Sequence, residues 1–225
     1  MSTLNGKMNG KSNMSDLNDD HLMSSIETPL REDAFELDEE LKVELIQKKF
    51  EEIMQVLGLD MNDDSLKDTP KRVAKMFVKE IFKGLSPENK PSVSLFDNKY
   101  QYKQMLVERD VNVSSTCEHH FLPIYGKAHV AYMSTGKVIG LSKINRIVEY
   151  YSKRPQVQER LTIQVANELK QVLETDDVAV MIDASHMCVA SRGIQDVGSS
   201  TVTAEYCGKF NDPAVKQEFL RYINK

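Results

Sequence analysis

Cys117-Glu118-His119-His120 sets one thiol, one carboxylate and two imidazoles in consecutive positions, and the reading of this quartet and its flanks decides the fold. Cys117 and His120 stand three apart, a spacing at which one turn of backbone presents sulfur and nitrogen to a single zinc ion. His119, held between Glu118 and a ligand, is left for proton transfer. On the amino-terminal side, Tyr102, Met105, Val107, Val111 and Val113 predict a strand within residues 99–113 with imperfect alternation. Residues 127–133 predict a second strand, so the quartet lies in the loop that joins them. His129, in the middle of that second strand and without a partner in sequence, reads as a surface or packing histidine.

Two ligands do not complete a site. His186-Met187-Cys188 closes the run 178–184, which reads as a strand, and residues two apart on a strand point to one face. His186 is therefore expected beside the metal that Cys188 binds. Cys117, His120 and Cys188 then form a triad, and three protein ligands leave the fourth zinc position open for water, as in catalytic sites. The competing reading is a closed structural site with Cys207 as fourth ligand. In a hairpin between the strand ending at Cys188 and residues 200–207, Cys207 pairs near Met181, roughly 20 Å from Cys188, too far to share an ion. The open site is the better reading.

The rest of the chain reads mostly as helix. From Leu37 onward, Leu41, Leu45, Ile46, Phe50, Ile53, Met54 and Leu57 recur at helical spacing, and Gly58 is placed to end the run. Asp68-Thr69-Pro70 offers a cap and a proline at the first helical position, followed by Val73, Phe77, Ile81 and Phe82. Arg72 and Lys75 share a face of that helix and read, on their own, as solvated charge. Gly140-Leu141-Ser142-Lys143-Ile144-Asn145-Arg146 starts a helix with Ser142 as N-cap and Leu141, Ile144, Val148 and Tyr151 toward the core. Lys143 and Arg146 make its start a candidate phosphate site, because backbone N–H groups and the dipole there already favour anions. Ordinary capping with surface charge is the equal alternative.

Arg154-Pro155 breaks the chain and opens another helix at Pro155, with Val157, Leu161, Val165, Leu169 and Val172 buried. Gln158 and Glu159 fall in its first turn, where the dipole favours a glutamate in any case. The functional reading is a carboxylate offering two acceptor oxygens to the N1–H and exocyclic amine of a guanine or pterin-like ring. Arg192, a few residues past Cys188, adds a guanidinium suited to phosphate oxygens. Residues 213–223 read as a short final helix.

Composition sets the frame. Residues 1–36, rich in Ser, Asn, Asp, Met and Lys without sustained period, read as a disordered polar tail whose His21 stands alone. The division expected is that tail, a helical region over 37–98 and a catalytic domain over 99–225. A net charge of −5 gives no global reason to expect nucleic acid. No apolar run reaches the roughly 20 residues that span a bilayer, and no signal peptide is visible. A cytoplasmic protein with no membrane partner is expected, and three cysteines, two of them in the metal site, suit a reducing compartment.

Four ordered motifs, Ser115-Thr116-Cys117-Glu118-His119-His120-Phe121, residues 140–146, residues 154–161 and His186-Met187-Cys188 followed by Arg192-Gly193, together resemble the zinc-dependent GTP cyclohydrolase I family. The resemblance runs from about Leu37 to the carboxyl terminus and takes in Asp68-Thr69-Pro70 with Arg72 and Lys75. It implies an α+β tunnelling fold, a ββααββ antiparallel sheet with helices on one face, preceded by N-terminal helices. Sheets of several subunits join into a pentameric barrel, and two barrels stack into a decamer with active sites between subunits.

The same resemblance implies GTP as substrate, Zn2+ as cofactor and 7,8-dihydroneopterin triphosphate with formate as products, the entry to folate and pterin biosynthesis. Zinc on Cys117, His120 and Cys188 activates water for attack at guanine C8, His186 protonates N7, and His119 assists later proton transfers. Ser142 resembles the hydroxyl assigned to the ribose rearrangement. Gln158 and Glu159 hold the guanine edge, while Lys143, Arg146 and Arg192, with Arg72 and Lys75 of a neighbouring subunit, hold the phosphates. The alternatives are a catalytically silent, zinc-containing pterin-binding protein of this fold and a relative that uses a cysteine as nucleophile.

Overall fold

A computed structural model describes residues 26–224 of the chain. Residues 1–25, and His21 with them, lie outside the described residues. Strands β2 (Met105–Cys117), β3 (Pro123–Met133), β6 (Val178–His186) and β7 (Thr201–Tyr206) form an antiparallel sheet in the order β2-β3-β6-β7. The two-residue β5 (Pro155–Gln156) runs parallel to the end of β2. Helices α3 (Leu141–Ser152) and α4 (Gln158–Leu173) lie between β3 and β6 in the chain, which gives the mixed α+β order strand-strand-helix-helix-strand-strand.

The pleat decides which side is core. Val178, Val180, Ile182 and Ala184 of β6 and Ala128, Val130 and Tyr132 of β3 point to one face, where they meet Ile144, Ile147 and Val148 of α3 and Leu161, Val165 and Leu169 of α4. The intervening residues Ala131 and Ala179 face the other side, with Phe210 and Phe219, the latter on α6 (Pro213–Ile223). The imperfect alternation in β2 has a physical cause: register shifts between Glu108 and Val111, one extra residue bulges out, and Asp110 adopts φ +60. His129 sits opposite that bulge and accepts a hydrogen bond on Nδ1 from the Asp110 N–H at 3.3 Å.

Helix α1 (Glu39–Val56) is capped by the Asp38 carboxylate, which accepts from Leu41 N, and ends at Gly58 with φ +82. Helix α2 (Thr69–Met76) carries its proline in the first turn and runs on as a π-helical turn, Phe77–Ile81. A small sheet absent from the sequence reading pairs β1 (Leu95–Asp97) with β4 (Lys137–Ile139) beside the core. Residues 26–36 run against the body of the protein, Ile26 O accepting from Gln164 Nε2 at 3.1 Å and Thr28 Oγ1 from Arg154 at 3.4 Å.

Three local expectations are corrected. The cap of α3 is Gly140, without a side-chain bond, so Ser142 lies exposed in the first turn and Leu141 is 52% exposed rather than in the core. Pro155 belongs to β5, and α4 begins at Gln158, because the chain first pairs with the end of β2. Met181 pairs with Ala204, and Cys207 N–H reaches Val178 O, so Cys207 lies further from the His186 end of β6 than its expected place opposite Met181.

Candidate metal centre and active site

The loop between β2 and β3 is a tight turn, closed by Cys117 N–H to Leu122 O at 2.8 Å and Phe121 N–H to Cys117 O at 2.9 Å. Phe121 takes φ +53 to make it. The third donor arrives from the neighbouring strand, since His186, the last residue of β6, pairs with Ile124 at the start of β3. Here the strand argument is corrected: the chain winds into a helical turn, α5 (Met187–Ala190), so Cys188 is not two residues along a strand from His186. The turn still carries its sulfur inward, and ligand atoms of Cys117, His120 and Cys188 lie within 4.8 Å of one another.

This donor set fits a zinc-type cation on its own chemistry. Burial pushes the Cys188 thiol up, and the adjacent Cys117 sulfur pushes it further, a pair of thiols that a dication would hold as thiolates. His120 Nε2 accepts an N–H from Arg192 at 2.8 Å, while its Nδ1 is buried without a hydrogen-bond partner. That nitrogen is therefore the one available to a metal. His119 lies alongside, with Nδ1 3.7 Å from Cys117 Sγ and Nε2 3.7 Å from Glu118 Oε1.

Glu118 is gripped in turn by Arg160, whose side chain is only 2% exposed, in a two-pronged ion pair. Arg160 lies within residues 154–161, where no site role is expected of it from sequence. Its signal was misleading: Arg160, Gln164 and Glu168 repeat every four residues along α4, a pattern that reads as a solvated face, yet all three are buried. Gln164 bonds Gln156 and Ile26 O, and Glu168 bonds Tyr151 and Lys90.

His186 Nε2 lies 2.8 Å from Gln158 Oε1, and burial lowers the imidazole from its usual value against the opposing charge of Glu159. Glu159 is exposed on the first turn of α4, whereas its neighbour Gln158 is 2% exposed. Lys143, Arg146 and Ser142 stand at the start of α3. Arg72 and Lys75 are exposed on α2, Arg72 against Asp68 at 3.7 Å and Lys75 within the field of Glu40. One chain thus gathers His119 and Arg192 at the donor triad, with His186 and Glu159 close together at the end of β6, while Arg72 and Lys75 stand exposed on α2.

Residues 46–224 match the family described as GTP cyclohydrolase I. The chain belongs to the GTP cyclohydrolase I family. A protein named GTP cyclohydrolase 1 from Flavobacterium johnsoniae is 60% identical over 216 residues, covering 96% of this chain and 97% of its own. One of the same name from Yersinia enterocolitica is 51% identical over 203 residues, covering 90% and 91% respectively. A crystal structure of the apo archaeosine synthase QueF-Like aligns at a TM-score of 0.36 and 17% identity, over 51% of this chain and 94% of that one. Among the described residues of this GTP cyclohydrolase I family member, no helix is long and apolar enough to cross a membrane.

Proposed function

We propose that this chain is a zinc-dependent GTP cyclohydrolase I that adds water at guanine C8, releases that carbon as formate, and closes the rearranged ribose onto the opened ring to give 7,8-dihydroneopterin triphosphate. The observation that carries the reading is the convergence of Cys117, His120 and Cys188 in a family member of this name. Zinc bound there would supply Lewis acidity and an activated water near neutral pH. The protein's own groups supply the rest. Glu159, open to solvent, offers its two oxygens to N1–H and the exocyclic amine of guanine, and an adenine, lacking that donor pair, leaves the carboxylate unsatisfied. His186, once its Nδ1 has taken up a proton, passes that proton to N7, which makes C8 a better electrophile.

His119, steadied by the Glu118 and Arg160 pair, serves the later proton transfers, and the Ser142 hydroxyl serves the sugar rearrangement. Lys143, Arg146 and Arg192 hold phosphate oxygens. With His120 holding the metal through Nδ1, its Nε2 would carry the ring hydrogen and would not accept from Arg192, which would leave that guanidinium for an anion. Arg72 and Lys75 serve the triphosphate of a neighbouring subunit within a tunnelling-fold decamer. Exposed Leu41, Leu45, Ile53, Val56 and Leu57 on and after α1 support an assembly that covers them. Incubation of the zinc-loaded protein with GTP, following formate and the fluorescence of the oxidised pterin, tests the reading. Zinc-loaded decamer that releases no formate would overturn it.

A further inference from the structure

Sequence places Gln158 next to Glu159 as a second contact to the guanine edge, but its carboxamide is already committed inside the protein. Its Nε2 lies 3.1 Å from Ile182 O, 2.8 Å from Thr201 O and 3.1 Å from Thr203 Oγ1. Two of these are carbonyls and can only accept. The third is fixed as an acceptor by a neighbouring chain of bonds: Thr162 Oγ1 spends its hydrogen on Gln158 O at 2.9 Å, so at 2.6 Å the Thr203 hydroxyl must donate to Thr162 Oγ1. A flipped amide would set Oε1 lone pairs against those of Ile182 O and Thr201 O in a site 2% exposed. The amide therefore has one orientation, with the acceptor Oε1 turned to His186 Nε2 at 2.8 Å.

We propose that Gln158 is a positioning residue, whose buried carboxamide holds His186 as the Nε2–H tautomer and leaves Nδ1 as the ring nitrogen available to the substrate. Its leverage comes from where it sits. Gln158 opens α4 and ties that helix end to β6 and β7 at the Ile182–Thr203 pair, four residues before the ring it orients. A histidine's reactive nitrogen is set by the bond its other nitrogen makes, and misplacing such a ring lowers turnover without removing substrate contacts. That the freed nitrogen takes up a proton and passes it to guanine N7 rests on the cyclohydrolase reading. The tautomer itself does not.

The test uses the full-length, zinc-loaded protein with ring-15N histidine, His186 being assigned by the signal lost in His186→Asn. The expected wild-type spectrum has His186 Nε2 protonated and Nδ1 bare, and Gln158→Met turns this into a mixture of tautomers. With GTP, Gln158→Met lowers kcat about 10²-fold while KM stays within about twofold. Thr203→Val, which removes one acceptor of the amide, lowers kcat by about tenfold or less in the same pattern. A wild-type His186 carrying its hydrogen on Nδ1 overturns the proposal, whether or not Gln158→Met folds. So does a Gln158→Met variant whose KM rises with kcat unchanged, the mark of a lost base contact. Wild-type protein with the expected tautomer but no formate release would instead sink the cyclohydrolase reading and leave the role of Gln158 standing.

Discussion

Replacing Glu118 by alanine removes the carboxylate bound to a guanidinium whose side chain is 2% exposed, Glu118 itself being 20% exposed. Breaking such a buried pair from one side costs about 3 kcal/mol, because the buried guanidinium loses its carboxylate where water does not take its place. Removing Glu44, paired with Lys48 at 2.6 Å but with side chains 61% and 59% exposed, costs about 0.5 kcal/mol or less. For a chain of this size each kcal/mol moves the melting temperature by roughly 2–4 °C, so Glu118→Ala should melt about 6–12 °C lower and Glu44→Ala about 2 °C lower at most. Both are read by thermal unfolding at one protein and zinc concentration, since assembly and metal each shift the midpoint. Adding Arg160→Met to Glu118→Ala removes the buried guanidinium as well and should recover part of the loss, giving a coupling of about 2 kcal/mol. The reasoning is refuted by a Glu118→Ala midpoint within about 2 °C of wild type, or by losses that simply add.

Cys188→Ser should lose most bound zinc while Cys207→Ser keeps it, measured by metal analysis after gel filtration; zinc lost from the Cys207 variant would bring back the closed site. Gly84→Ala should destabilise the protein by about 2 kcal/mol, seen in urea unfolding. The new Cβ would stand 2.1 Å from Tyr150 O and 2.8 Å from Lys153 O, both backbone atoms, and a midpoint equal to wild type would mean that the contact is not kept. Burial holds His129 below its usual 6.5, Asp110 and Asp183 opposing and Arg109 and Lys127 reinforcing. The unfolded chain then binds the proton more tightly, so this share of stability is complete above pH 6.5 and declines as pH falls from there through the folded value. His129→Gln should flatten melting temperature against pH in that window, and an unaltered slope would remove His129 as its source.

What the sequence by itself determined are the features encoded within a few residues of one another. Cys117 and His120 share a turn because they are three apart, α1 stops at Gly58, and the 3.6-residue stripe of Leu161, Val165 and Leu169 marks the buried side of α4. Backbone preference and side-chain periodicity act at that range. The tertiary structure decided whatever depends on distant chain. Cys188 reaches the triad from a helical turn because β6 ends beside β3. Arg160, Gln164 and Glu168 look like a solvent face until Glu118, Ile26 and Lys90 arrive to cover them. Gln158 carries no local sign of the acceptors on β6 and β7 that surround its amide in the fold. A polar side chain carries no local sign of whether water or protein will satisfy it, so its partners are known only when the chain has folded back.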